Sequence, residues 1–418
     1  MRGKSGTLVD MSKRSVLLIL ASLLVLAFLV YQIPSVHTRL AWRFEILTTY
    51  LHGLFYPARP VPTAVVPETT LRLATLTPTS TASLPFAGHS STPAPTVPPL
   101  PAQVSLPVPT HEQQTMNNCG PATLAMALRM YAWNGTQKDI AQVIKPVDAD
   151  RNVNPEEMRY YVLNYAGWLR AEYRVGGDLF LLKRLLAAGY APIIEEAFVF
   201  DSPYWPNDDL WAAHYILLTG YDDTAQTFTA QDSYHGPNQQ IAYSTVLKNW
   251  APFNYVYMLI YLPEQESEIH TLLGSDWDEA SNRQKALTRS EAATVKNPQD
   301  AYAWFNLGTN LVYFERYVEA AQAYDKARAL GLPQRMFRYQ FGPFIAYFHS
   351  YRTDDLMTLT TYALQRTPNS EEALLWKGWG LYRQGDTAGA LAVWQKALRE
   401  RPGYPDAQYA IDFVKKQP

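Results

Sequence analysis

Apolar and polar positions along the chain follow three different patterns. An almost uninterrupted apolar run extends from Val16 to Val30. Between residues 109 and 263, apolar positions first recur with helical spacing and later form short blocks bounded by glycine, proline and aspartate. Helical spacing returns after residue 285. The pattern therefore predicts a membrane-directed segment, a mixed α and β domain, and an all-helical region.

The N-terminal apolar run extends to about Ile33, and as a helix it approaches the hydrocarbon thickness of about 30 Å. Basic residues precede it, which predicts a cytoplasmic N-terminus and extracytoplasmic placement of the C-terminal domains. We therefore predict a cytoplasmic tail at residues 1–14 and a single transmembrane helix, acting as a signal anchor, at residues 15–33. Secretion after cleavage of a signal peptide is the alternative.

Two segments of different composition follow the apolar run. Residues 34–56 mix aromatic, apolar and charged positions, which predicts a juxtamembrane helix at the membrane surface. Residues 57–108 are rich in proline, serine and threonine and carry little charge. Such a composition cannot bury a core, so we predict a semi-extended stalk that holds the folded domains away from the membrane.

Cys119 is the only cysteine in the chain. Asn118 precedes it, and Gly120 and Pro121 suit the first turn of a helix that continues through an Ala/Leu/Met sequence. A helix N-terminus favours negative charge, so a thiolate forms more easily there. We therefore predict a nucleophilic cysteine, with a buried structural cysteine as the alternative.

Polar residues at two predicted strands complete a candidate site. After a second helix that ends at Ile144, strands are predicted at residues 189–200, 214–221, 227–232 and 256–261. Helices followed by antiparallel strands predict an α+β fold. His214 begins the second strand and Asp232 ends the third, so adjacent pairing would bring them together. A histidine beside a thiol transfers protons, and a carboxylate orients the histidine.

Several motifs, taken in order, resemble one family. They are Gln113, six residues before Cys119, the sequence 118–122 (Asn-Cys-Gly-Pro-Ala), the sequence 191–194 (Ala-Pro-Ile-Ile), the sequence 214–222, and the sequence 230–232. Together they resemble papain-like cysteine peptidases of the bacteriocin-processing, C39-like type, across residues 109–263. Bacterial members that are not fused to transporters are the most similar branch, so cleavage of double-glycine leaders is not implied.

The resemblance implies a role for each matching residue. Cys119 would be the nucleophile, His214 the general base and acid, and Asp232 the orienting carboxylate. Gln113 would donate a hydrogen bond to the oxyanion, and Gln114 is the alternative donor. No cofactor or metal is implied. Trp205, Trp211 and Tyr234 are candidates to line the cleft, with ordinary core or surface positions as the alternative.

The last third of the chain contains a repeat. Five positions recur at an offset of 70 residues, namely Trp304, Gly308, Ala320, Tyr324 and Ala327, then Leu374, Gly378, Ala390, Trp394 and Ala397. Two units of about 34 residues resemble the tetratricopeptide repeat. We predict a connector at residues 264–284 and an all-α solenoid at residues 285–418. Such repeats bind a peptide or protein partner, or here support the peptidase domain. Tyr347, His349, Tyr351 and Arg352 are candidates to face a ligand.

Charge and motifs together select among function classes. The formal net charge is −2, so no nucleic acid partner is expected. The sequence predicts a membrane-anchored extracytoplasmic cysteine peptidase that acts on a peptide or protein substrate, with repeats that recruit a partner. The alternatives are a catalytically inactive papain-like scaffold and acyl transfer to an amine by the same residues.

Overall fold

The computed structural model describes residues 13–65, 99–147, 150 and 152–416. The chain divides into two compact units. One contains the residues up to Pro57 together with Tyr204–Pro206, and the other contains Ala58–Pro203 and Asn207–Pro418. Most of the predicted cytoplasmic tail, residues 1–12, lies outside the described residues.

The first unit is built from two helices, α1 (Lys13–Tyr31) and α2 (Pro34–Phe55). Pro34 begins α2, as expected for a residue whose fixed φ suits the first helical turn. Trp205 packs beside Gly53, where an added Cβ would lie 2.5 Å from the Trp205 Cβ. Trp205 therefore lies in this unit and is buried.

The predicted transmembrane helix at residues 15–33 needs correction. Among the described residues, none of the helices combines the length and the apolar character that crossing a bilayer requires. The helix α1 begins at Lys13 and Arg14 and ends at Tyr31. Without that charged end its apolar part covers roughly 24 Å at 1.5 Å per residue, less than the hydrocarbon thickness of about 30 Å.

The second unit contains a seven-stranded antiparallel sheet in the order β2-β7-β3-β4-β5-β6, and β1 pairs with the end of β4. Its strands are β1 (Gln103–Ser105), β2 (Arg170–Arg174), β3 (Ile193–Val199), β4 (Trp211–Asp222), β5 (Thr227–Asp232), β6 (Gly236–Ala242) and β7 (Tyr257–Tyr261). Four of them correspond to predicted strands. The sequence pattern missed β1, β2 and β6.

Five helices cover the two faces of this sheet. They are α3 (Cys119–Arg129), α4 (Gln137–Ile144), α5 (Pro155–Tyr165), α6 (Leu179–Ala187) and α7 (Tyr243–Trp250). Alternate residues of β4 enter separate cores, with Leu217 against α3, α4 and α5 and Ile216 against α6 and α7. The α+β arrangement of the peptidase-like domain agrees with the prediction.

The remaining ten helices form the C-terminal region. They are α8 (Glu266–Leu273), α9 (Glu279–Lys296), α10 (Ala301–Tyr313), α11 (Tyr317–Leu330), α12 (Met336–Tyr339), α13 (Gly342–His349), α14 (Thr353–Arg366), α15 (Glu371–Arg383), α16 (Thr387–Glu400) and α17 (Pro405–Lys415). The 70-residue offset has a physical basis. A Cβ at Gly308 would lie 2.7 Å from the Tyr324 ring, and one at Gly378 would lie 2.2 Å from the Trp394 ring.

The first repeat packs directly on the sheet domain. Side chains of Asn310 and Asn254 hydrogen bond to each other at 2.8 and 3.3 Å, and Asn306 donates to the Ala251 carbonyl at 2.8 Å. Arg335 forms a buried ion pair with Asp208 at 2.5 Å. Buried polar groups that are paired in this way hold two bodies in one orientation. The repeats therefore do support the domain.

The predicted stalk differs from expectation at both of its described ends. Near its C-terminal end, residues 103–105 form β1 and pair with residues 220–222 of β4. Near its N-terminal end, Val61 is buried with residues of the repeats. A proline-rich composition does not prevent strand pairing or burial of single side chains, and both occur here.

Candidate active site

Cys119 occupies the first position of α3, as the sequence predicted. The thiol is half-buried, whereas the nine following residues of the helix are buried. Thr123 donates to the Tyr215 carbonyl at 2.9 Å, one residue from His214. A Cβ at Gly120 would lie 3.2 Å from the Val153 Cβ, so the helix start is closely packed. The position of the sulfur relative to β4 is therefore well defined.

His214 lies between Cys119 and Asp232. Its Nε2 is 2.7 Å from Oδ1 of Asp232, and the Cys119 side chain also interacts with it. Because Asp232 occupies Nε2, Nδ1 is the ring nitrogen that remains for another partner. In the sheet, Asp232 is opposite Ile216, two residues along β4 from His214, which explains the diagonal approach.

The position of His214 within its strand differs from the prediction. The sequence placed it at the start of the strand, but β4 begins at Trp211 and His214 is its fourth residue. Three additional pairs with β3, beginning at Val199 and Trp211, extend β4 beyond the predicted start. His214 is consequently only 1 % exposed, and its charge is determined by its neighbours and not by water.

The electrostatics of the pair favour charge on both partners. Burial acts to lower the pKa of His214, but hydrogen bonds with Asp232 and Cys119 raise it from 6.5 to about 10. Burial acts to raise the pKa of Asp232, but the hydrogen bond and charge of His214 hold it well below its usual range. At neutral pH the arrangement is an imidazolium beside a carboxylate, and an imidazolium beside a thiol favours the thiolate.

The two candidate oxyanion donors flank the loop after β5. Gln113 Nε2 donates to the Tyr234 carbonyl at 3.0 Å. The backbone N–H of Gln114 donates to the Ser233 carbonyl at 2.9 Å, and its Oε1 accepts from the Ser233 hydroxyl at 2.9 Å. These contacts bring the segment before α3 to the Asp232 loop. The choice of donor stays a prediction.

Gln137, at the start of α4, was not anticipated from the sequence. Its Nε2 donates to the Gln113 carbonyl at 2.8 Å, while its Oε1 accepts from the Thr115 N–H and the Asn118 amide, both at 2.8 Å. Gln137 is buried. One side chain therefore fixes both ends of the segment from Gln113 to Asn118. The link spans 19 to 24 residues, so local spacing gives no sign of it.

Two family models match this chain. Residues 105–258 match the Peptidase_C39 like family, and residues 272–331 and 359–405 match a tetratricopeptide repeat. The chain carries a C39-like cysteine peptidase domain followed by tetratricopeptide repeats. The resemblance inferred from the sequence motifs is thereby confirmed for both regions. A comparison with curated proteins returned no match.

Solved structures of both kinds are similar to parts of the chain. Xylellain, a cysteine protease from Xylella fastidiosa, is 16% identical and covers 43% of this chain and 94% of its own, with a TM-score of 0.31. A double glycine motif protease from an AMS/PCAT transporter, solved with its leader peptide, is 16% identical over 38% and 94%, with a TM-score of 0.28. YrrB, a TPR protein with an unusual peptide-binding site, is 22% identical over 35% and 73%, with a TM-score of 0.29.

In the C39-like domain, Asp232 has more partners than the sequence suggested. Its Oδ2 is 2.7 Å from Nδ1 of His235, and its Oδ1 accepts from the backbone N–H groups of Tyr234 and His235 at 2.7 and 3.1 Å. A carboxylate with this many donors is strongly held as an anion. The sequence 232–235 indicates these bonds, because an aspartate at the start of a turn can accept hydrogen bonds from the backbone N–H groups of the residues that follow it.

A second carboxyl group of the C39-like domain faces His214. Glu196 lies directly opposite His214 in the β3–β4 ladder, and its Oε2 is buried without a hydrogen-bond partner. Burial raises the pKa of Glu196 to about 7, although the charge of His214 acts in the opposite direction. Only the cross-strand register reveals this neighbour, and sequence spacing does not.

A cavity of about 600 Å³ lies next to Glu196 and Asp232 in the C39-like domain. Phe198, Trp211 and His235 also line it, so one of the three predicted aromatic residues lies at this cavity. The Phe198 ring lies 5.1 Å from the His214 ring and the Tyr234 ring lies 6.5 Å from it. Trp205, the third candidate, is a residue of the other unit.

Proposed function

We propose that this protein is a cysteine peptidase that hydrolyses peptide bonds through Cys119, His214 and Asp232. The observation that carries the proposal is the 2.7 Å hydrogen bond between the buried His214 and Asp232, with Cys119 near enough to His214 to raise its pKa. Each group has the chemistry that its position requires: a half-exposed thiol at a helix N-terminus, a buried imidazole, and a carboxylate that stays ionised.

The proposed reaction has two halves. The Cys119 thiolate attacks the substrate carbonyl, and the new oxyanion accepts hydrogen bonds from the Cys119 backbone N–H and from Gln113 or Gln114. His214 gives its proton to the leaving amine as the C–N bond breaks, which leaves a thioester. His214 then takes a proton from water, which attacks the thioester, and the thiol is regenerated with release of the acid. Asp232 keeps the imidazole oriented throughout.

We further propose that the repeats bind a peptide or protein partner and that the protein acts outside the cytoplasm. The export proposal is supported by the basic residues followed by the apolar run at 16–30, since an export signal needs an apolar stretch of only about 7–15 residues. The exposed apolar side chains along α1 support the proposal that the protein stays at the membrane surface. Protease accessibility in intact cells tests this placement.

The direct test of the peptidase proposal is the alkylation rate of Cys119 by iodoacetamide in the full chain. Cys119 is the only cysteine, so the label reports on this site alone. An ordinary cysteine with a pKa of about 8.5 is roughly 0.3% thiolate at pH 6. We expect fast alkylation at pH 6 in the parent and a rate about 10²-fold lower in His214→Ala.

A search with peptide libraries then measures hydrolysis itself, with Cys119→Ala as the control that removes only the sulfur. Slow alkylation that does not respond to His214→Ala would reject the enzyme and favour the inactive scaffold. Product formation on an added amine, with no hydrolysis, would favour acyl transfer.

A further inference from the structure

The segment at residues 58–65 lies against the repeats as one extended length of chain without regular secondary structure. Half of its residues are exposed, but Val61 is 6% exposed and belongs to a core cluster formed mostly by the repeats. Pro60 and Pro62 flank Val61 and restrict the backbone to an extended form. The segment therefore inserts the Val61 side chain into this core and loses little conformational entropy when it binds.

Four backbone groups of this segment hydrogen bond to side chains of α11 and α14. Arg328 donates to the carbonyls of Pro62 and Thr63 at 2.7 and 2.8 Å. Asp355 accepts from the N–H of Val65 at 2.9 Å. The Tyr362 hydroxyl donates to the Arg59 carbonyl at 3.2 Å. Contacts to backbone carbonyls and an N–H recognise an extended peptide rather than particular side chains.

Two of the three side chains that make these contacts, Arg328 and Asp355, belong to a buried charged cluster, the clamp. The clamp is formed by Asp325, Arg328, Tyr347, Arg352 and Asp355. Side chains of Arg328 and Asp355 are 0% exposed and lie 3.1 Å apart. Arg328 also donates to the Tyr347 hydroxyl at 2.7 Å, which donates to Asp325 at 2.8 Å. Arg352 pairs with both aspartates. Tyr347 and Arg352 were two of the four ligand-facing candidates.

Hydrogen bonds and ion pairs within the clamp orient its side chains, and the peptide carbonyls accept from the remaining N–H groups of Arg328. A buried guanidinium needs partners for its N–H groups, because an unpaired buried charge is strongly destabilising. Arg328 satisfies its Nη1 within the clamp and uses Nε and Nη2 on the two carbonyls of the segment. The donors that reach the peptide are thus fixed before any peptide arrives.

The clamp lies apart from the contacts that join the repeats to the C39-like domain. Those contacts include Asn306 and Asn310 on α10, Arg335 before α12 and Arg401 after α16. The peptide contacts come from α11 and α14. Occupancy of the clamp therefore changes without breaking the packing of the repeats on the domain.

We propose that the clamp is a peptide-binding site, that residues 58–65 are its intramolecular ligand, and that an extended proline-containing peptide competes with them. The ligand class is an extended peptide with a small branched apolar residue at the Val61 position and a free N–H four residues later. This inference rests on the binding role that the proposed function gives to the repeats, and it is independent of the cysteine chemistry. An intramolecular ligand acts at an effective concentration of about millimolar, so competing peptides bind weakly while it is in place.

The test uses the full chain and a fluorescein-labelled peptide of residues 58–65, followed by fluorescence anisotropy. In the chain, Val61→Asp places a carboxylate in an apolar pocket and releases the segment without altering the clamp. We expect this variant to bind the peptide at least about tenfold more tightly than the parent does. Val295→Asp on α9 is the matched control, because it makes the same substitution at a side chain that is 76% exposed and outside the clamp, and it should bind like the parent.

A peptide variant and a second chain variant distinguish release of the segment from misfolding of the Val61→Asp chain. A peptide carrying Val61→Asp should not bind any of the proteins. Val65→Pro in the chain removes the N–H that Asp355 accepts and leaves every repeat side chain in place, so it should also increase binding of the parent peptide.

Equal affinity for the parent and both released variants would overturn the proposal, and so would a lack of binding to all of them. Alkylation of Cys119 is measured on the same samples. Fast, His214-dependent alkylation without peptide binding would reject the peptide-binding proposal and leave the peptidase proposal standing. Peptide binding with an unreactive Cys119 would reject the peptidase proposal and leave the peptide-binding proposal standing.

Discussion

Glu196 lies directly opposite His214 on neighbouring strands of the sheet, and its carboxyl group has a pKa of about 7. Glu196 therefore changes charge in the neutral range, whereas His214, with a pKa of about 10, stays protonated there. As pH rises through 7, a negative charge appears beside the imidazolium and stabilises it. The site thus contains a titratable group that the triad does not require.

Replacement of Glu196 with glutamine should remove this response. In NMR spectra of protein with ¹³C-labelled histidine, the His214 signal should show an inflection near pH 7 in the parent and none in Glu196→Gln. Asp201→Asn, at the exposed carboxyl that accepts from the Tyr234 hydroxyl at 3.1 Å, is the control and should retain the inflection. An inflection that persists in Glu196→Gln would show that another group produces it.

Loss of the Asp232 charge should affect the His214 pKa more than loss of His235, the other histidine that bonds to Asp232. Asp232→Asn removes the charge that raises the pKa of His214, so that pKa should fall from about 10 and alkylation of Cys119 at pH 6 should slow by about tenfold. His235→Ala removes one of several donors to Asp232 but leaves its charge in place, so it should change the His214 pKa less. The same NMR titration measures both shifts, and an equal shift in the two variants would contradict this order.

The oxyanion donor is identified by comparing two reactions. Loss of the donor should lower the turnover number for peptide hydrolysis by about 10²–10³-fold, because the tetrahedral intermediate loses a hydrogen bond. Alkylation of Cys119 forms no oxyanion and should be unchanged. We expect this split for Gln113→Ala and a smaller effect on hydrolysis for Gln114→Ala. The reverse order would assign the role to Gln114.

The contact between the C39-like domain and the last repeats should depend on pH. Burial raises the pKa of Glu371 from 4.5 to about 7, and Arg401 bridges it to Glu157 at 3.3 and 2.7 Å. Between pH 4.5 and pH 7, Glu371 holds a proton in the folded protein that it has lost in the unfolded chain. Its contribution to the free energy of unfolding is therefore complete below pH 4.5 and disappears as pH rises through 7.

Calorimetry at pH 5 and pH 8 measures the effect on thermal unfolding. Glu371→Gln should narrow the difference in unfolding temperature between the two pH values, since the amide does not titrate. The exposed Glu264→Gln serves as the control and should leave that difference unchanged. A difference that is the same in both variants would place the pH dependence elsewhere.

Local signals in the sequence were sufficient for much of the site. The N-terminal position of Cys119 follows from helix-start residues, and the approach of His214 to Asp232 follows from a short hairpin between two apolar strands. The repeats were visible because glycine must face an aromatic ring at Gly308 and again at Gly378, which imposes a period on the sequence.

Long-range pairing accounts for what the sequence did not reveal. Glu196 and Gln137 depend on strand register and on the docking of α4, and neither is encoded in local spacing. The edge strand β6 begins Gly-Pro-Asn-Gln-Gln, a polar sequence that forms a strand because β5 supplies its hydrogen bonds. The position of residues 58–65 depends on side chains of the repeats that lie 266 to 303 positions away in the sequence.

The attachment of residues 58–65 to the repeats and of residues 103–105 to β4 has a consequence for proteolysis. Both ends of the intervening sequence are fixed to the same compact unit. A single cut between residues 66 and 98 would therefore not release the N-terminal helices from the rest of the chain. Release would also require dissociation of residues 58–65 from the repeats and of Trp205 from Gly53, so non-covalent contacts would hold the two fragments together.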